Sequence, residues 1–161
     1  MSQPAVKKRP EPPSVGSTRY DEDLYTWVQE QVALLRAGRF DEIDAENIAE
    51  ELSDVGKSER AKLESALRVL VIHMLKWDQQ PELRTPSWVF SIREQRRRID
   101  RLLRQNPGLK PHQDESLADV YQSARDWASL ETHFDVSEFP GECPYTWDDL
   151  LRRPFEADPK F

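Results

Sequence analysis

Between Asp44 and Gln79 one stripe of positions keeps a regular spacing: Ile48, Leu52, Val55, Glu59, Leu63, Ala66, Leu70, Met74 and Trp77. These are eight steps over 29 residues, 29/8 = 3.63 per step, which is the period of a straight α-helix and not the 3.5 of a coiled coil. The pattern predicts a helix of about 36 residues, roughly 54 Å if unbroken. Gly56 followed by Ser58 also offers a C′ residue and a fresh N-cap, so a kink there stays open beside continuity. From Val69 to Leu75 the stretch is apolar on nearly every side, as expected of a helix surrounded by others.

The flanking segments carry the same period. A first helix is expected from near Asp21 to Gly38, with Leu24, Trp27, Val28, Gln31, Leu34 and Leu35 as its stripe. A third follows Pro86, with Ser87 as N-cap, and runs through Trp88, Ile92, Ile99, Leu102 and Leu103 to Asn106, where Pro107-Gly108 stops it. A fourth, from Asp114 or Ser116 to Thr132, aligns Leu117, Val120, Tyr121, Ala124 and Ala128. A short last helix is capped by Thr146, with Asp148 and Asp149 in its positive first turn. No alternating strand pattern occurs. The expected fold class is all-α: a bundle of four main helices plus a short C-terminal one.

Residues 1–17 contain Pro4, Pro10, Pro12 and Pro13 among polar and basic residues, and read as a disordered tail. Residues 18–155 are expected to form a single bundle domain, and 156–161 a C-terminal tail. At 161 residues the chain is long enough to hold a core without cross-links, and the single cysteine, Cys143, permits neither an intramolecular disulfide nor a thiolate zinc cluster. No run of about 18 apolar residues suggests a membrane span, and no apolar run follows Lys7, Lys8 and Arg9 as in a signal peptide. The expected location is cytoplasmic.

The words along the chain have a familiar order. Leu34-Leu35-Arg36-Ala37-Gly38 is followed by Glu46-Asn47-Ile48-Ala49-Glu50-Glu51, and then by His73-Met74-Leu75-Lys76-Trp77 with Gln80-Pro81-Glu82. Ser87-Trp88, Ile92 with Gln95-Arg96, Glu131-Thr132, and Phe139-Pro140 with Cys143-Pro144-Tyr145-Thr146-Trp147 complete the series. From about Tyr25 to Leu150 the chain resembles the bacterial DUF29 family. The resemblance implies a helical protein and supplies no activity, cofactor or catalytic residue.

Four polar side chains are expected to point inward. At 100° per residue Glu131 falls within about 20° of Ala124, His73 about 60° from Leu70, and Gln95 and Arg96 flank Ile92. If helices two to four are antiparallel neighbours, His73, Gln95, Arg96 and Glu131 share one layer. Glu131 is then either held by Arg96, His73 or an indole to fix helix register, or joined with His73 as a general-base pair or metal ligands while Gln95 and Arg96 bind an anionic substrate. Two ligands do not make a metal site, and no cofactor is called for. His112 and His133 are expected in solvated loops, and Glu59 to pair locally or to mark the kink.

Charge narrows the options. The net charge is −7, yet Arg93, Arg97, Arg101 and Arg104 form a basic stripe on helix three, where residues 93–104 sum to +6 − 2 = +4. Residues 41–64 carry nine acidic and three basic side chains, and residues 114–149 ten and one, so the chain supplies its own counterions. Weak nucleic-acid binding through the stripe is the lesser expectation. A non-enzymatic module with a protein partner, or a homodimer, ranks first, and a hydrolase or metal-dependent enzyme built on His73 and Glu131 second.

Overall fold

A computed structural model describes residues 18–156, and all the regular structure in that range is helical. The expected tail 1–17 and residues 157–161 lie outside the described residues. The chain divides into two compact units, Met1–Asp54 and Val55–Phe161.

In the first unit α1 spans Leu24–Ala37. It starts at Asp23, whose carboxylate accepts from the Thr26 N–H at 3.0 Å, and not at the expected Asp21. It ends at Gly38, which adopts φ +72, a left-handed conformation that costs glycine little. Trp27, Gln31 and Leu34 are buried, whereas Leu24 and Leu35, at the margins of the expected stripe, are largely exposed. Asp44 ties this helix to the start of the next: its Oδ2 accepts from the Trp27 indole at 3.3 Å, and its backbone N–H donates to Gln31 Oε1 at 2.8 Å.

α2 spans Ala45–Gln79 as one uninterrupted helix of 35 residues, so Gly56 neither caps nor breaks it. A single exposed helical glycine costs about 1 kcal/mol, too little to interrupt the hydrogen-bond ladder. The expected stripe keeps its phase but not its burial: Leu52 and Val55 are 67% and 62% exposed, and the buried run begins only at Leu63. Periodicity reports which residues share a face, not whether anything covers that face.

The second unit packs the rest of α2 with α3 (Pro86–Gln105), α4 (Gln113–Thr132) and the short α5 (Trp147–Arg152). α3 has Pro86 in its first turn after the N-cap Thr85, two residues ahead of the expected Ser87 cap. α5 begins with a reciprocal capping box between Thr146 and Asp149. Ala66, Leu67, Leu70, Val71, Met74, Ile92, Ile99, Ala124, Ala128 and Leu150 are the deepest hydrophobic core residues, most of them on or beside the expected stripes. The segment between α4 and α5 also reaches inward, burying Phe139 and Tyr145.

Candidate functional site

The expected four-residue layer separates into three places. On α2, the buried ammonium of Lys76 donates to Glu131 Oε2 of α4 at 2.6 Å and lies 4.7 Å from the centre of the Trp88 ring. His73, one turn earlier, donates from Nδ1 to the Val69 carbonyl at 2.8 Å. Burial is the main cause lowering its pKa, with the nearby Lys76 charge adding to it and the Val69 bond and Glu131 opposing. Glu131 itself is on the margin, its side chain 41% exposed, because α4 is in its last turn there and the apolar face has run out.

Arg96 does not meet Glu131, which corrects the expected pairing. Its guanidinium donates to the backbone carbonyls of Leu150 at 2.6 Å, Arg153 at 2.7 Å and Asp149 at 2.9 Å, and its centre lies 5.0 Å from the Phe155 ring. The last carbonyls of a helix have no partner inside it, so Arg96 closes α5 and fastens it to α3. Helical phase places Arg96 inward correctly, but it cannot say which partner lies opposite. Gln95 is also inward; its Oε1 is buried with no hydrogen-bond partner in the structure.

A third polar cluster was not legible beforehand. Tyr145 donates its hydroxyl to Asp78 Oδ2 at 2.8 Å, and Arg153 forms an ion pair with the same carboxylate. Burial, the Asp78 charge and this bond all push the Tyr145 hydroxyl far above its ordinary pKa. The separation of 67 positions between Asp78 and Tyr145 leaves no periodic trace of the contact. Only the Pro144-Tyr145-Thr146-Trp147 word signalled that the segment mattered.

A concavity lies beside this cluster, between α4 and the segment leading to α5. It holds about 550 Å³ and is lined from α4 by Asp114, Leu117, Ala118, Tyr121 and Gln122, and from the facing segment by residues 141–143 and 145–147. The α4 positions recur at intervals of three and four, so they form one helical face about 12 Å long. The groups around it are already bonded internally: Trp147 Nε1 donates to Asp114 Oδ1 at 2.6 Å, and the Tyr121 hydroxyl donates to the Pro140 carbonyl at 2.7 Å. Burial raises the Tyr121 pKa to about 12, so the phenol stays neutral. Burial likewise raises the Cys143 thiol, whose Sγ makes only a 3.8 Å contact with the Tyr145 carbonyl, so it is no activated nucleophile. The sequence marks Cys143 only for the cross-links it excludes, and gives no sign of the cleft that Cys143 and Trp147 help to line.

The remaining candidates are peripheral. Arg93 and Arg101 are exposed, Arg97 pairs with Glu94 at 3.4 Å and Arg104 with Asp100 at 2.9 Å, so the basic stripe is partly neutralised within its own helix. Glu59 pairs locally with Lys62 and accepts from Asn106. His112 and His133 are exposed, the latter at φ +61 as the C-cap of α4. Among the described residues no three His, Cys, Asp or Glu side chains are grouped to hold a metal ion, and no helix is long and apolar enough to cross a membrane.

The model of a family described as "Domain of unknown function DUF29" matches residues 19–156. No curated protein and no solved structure matches.

Proposed function

Because this chain belongs to the DUF29 family, which brings no activity with it, we propose from its own geometry that it is a cytoplasmic protein-interaction module. Its docking site is the cleft between α4 and residues 141–147. The carrying observation is the combination of an open volume of about 550 Å³ with apolar and aromatic lining and with hydroxyl and indole groups already satisfied internally. A wall of that kind offers burial and shape, which suit recognition, and few free groups for proton transfer. The absence of a pairable second cysteine supports a reducing location.

The enzymatic alternative, with His73 and Glu131 as a base pair or metal ligands, is the less supported reading. Lys76 occupies Glu131, and His73 spends Nδ1 on the Val69 carbonyl.

The test is a selection of random twelve-residue peptides against the full chain and against Ala118→Arg. Ala118 is an exposed cleft position on α4, and arginine there suits the helix while filling the groove. The proposal expects peptides that bind the parent chain and lose most of their affinity for Ala118→Arg. No enriched peptide, or equal binding to both forms, contradicts it.

A further inference from the structure

We infer that the cleft takes an extended segment of a partner protein in which lysine or arginine residues flank apolar anchors; the inference rests on the reading of the cleft as a docking site. The first ground is charge. Asp114 and Glu142 line the cleft, and no lysine or arginine does. Between residues 113 and 151 the sequence contains one cationic side chain, Arg125, and its guanidinium donates to the Phe139 carbonyl. Asp114 accepts from the Trp147 indole, a neutral donor, so the bond positions its carboxylate without cancelling the charge.

The second ground is shape. The α4 wall from Asp114 to Gln122 runs about 12 Å, which an extended chain covers in about four residues. Ala118 and the half-buried Trp147 present apolar surface along that length, with the buried Leu117 and Tyr121 behind them, while Asp114 and Glu142 provide carboxylates beside it. A segment alternating apolar and cationic side chains places one kind against the wall and leaves the other to reach the carboxylates. An acidic segment would face the carboxylates of Asp114 and Glu142 with no lysine or arginine in the lining, and the cleft would reject it.

The probe is the decapeptide GSKLRFKLSG, compared by calorimetry with its neutral form GSQLQFQLSG and its acidic form GSELEFELSG, against the full chain. The expected order is basic, then neutral about tenfold weaker, then acidic without measurable binding. Asp114→Asn, which retains an acceptor for Trp147, and Glu142→Gln should each weaken the basic peptide several-fold and leave the neutral one nearly unchanged. Equal binding of the basic and neutral peptides, preference for the acidic one, or no binding by any of the three overturns the inference. The docking reading itself is judged separately, by whether the random selection yields peptides sensitive to Ala118→Arg; peptides of acidic or uncharged composition that pass that criterion retain the cleft and exclude this partner chemistry.

Discussion

Lys76 and Glu131 form an ion pair at 2.6 Å whose two ends sit in different surroundings: the lysine side chain is 11% exposed and the glutamate 41%. The two truncations are therefore unequal. Glu131→Leu leaves a nearly buried ammonium with only the Trp88 face beside it and should cost about 1 to 3 kcal/mol. Lys76→Met leaves a carboxylate that water can reach, and its aliphatic replacement fills the same channel, so the cost should stay below about 1 kcal/mol. Denaturant unfolding of both variants checks the order; equal costs would mean that the pair is uniformly solvated.

Arg96 and Glu131 act on different elements, so their substitutions should add. Arg96→Met removes three charged donors from the Asp149, Leu150 and Arg153 carbonyls and should cost roughly 2 to 3 kcal/mol. The double variant with Glu131→Leu should lose the sum of the two single costs to within about 0.5 kcal/mol. Recovery of stability in the double variant would show that the two side chains interact.

Gly56 offers a gain. It is exposed within α2, and a Cβ added there would meet nothing within 4 Å. Gly56→Ala should stabilise the protein by about 0.5 to 1 kcal/mol by restricting the unfolded chain and favouring the helix. Loss of stability or of helical circular dichroism would mean that the helix turns at this residue.

His73 makes stability depend on pH. Its folded pKa is lowered beneath the ordinary 6.5, chiefly by burial, so below that value the unfolded chain takes up the proton before the folded one does. More protons on the unfolded state means stability that is full above pH 6.5 and falls as pH drops through the window between 6.5 and the folded value. Unfolding free energies at pH 7.5 and 5.5 should differ less in His73→Gln than in the parent chain. An NMR titration placing His73 at 6.5 would abolish this dependence, and one placing it above 6.5 would reverse the sign.

The legible part of this fold was what periodicity encodes. Leu70, Ile92, Ile99, Val120 and Ala124 were expected inside and are inside, because one face of each helix repeats every three or four residues. Leu52 and Val55 obeyed the same repeat and are exposed, since a stripe carries no information about its cover. For the polar residues, phase supplied direction but not partner. Arg96 pointed inward yet met carbonyls of α5, and carbonyls leave no mark in a sequence. The cleft was hardest to foresee, because half of it comes from residues 141–147, an aperiodic segment whose placement follows from Phe139 and Tyr145 entering the core.

The central claim is that a partner segment occupies the cleft, and an amide-resolved NMR titration of the full chain with GSKLRFKLSG reads the location directly. The account predicts that the largest shifts fall on Ala118, Gln122, Gly141, Glu142, Cys143 and the Trp147 indole N–H, and that they vanish in Ala118→Arg. Shifts centred on Glu94, Asp100 and the α3 arginines, or on the Lys76, Glu131 and His73 cluster, with the cleft unmoved, would contradict it.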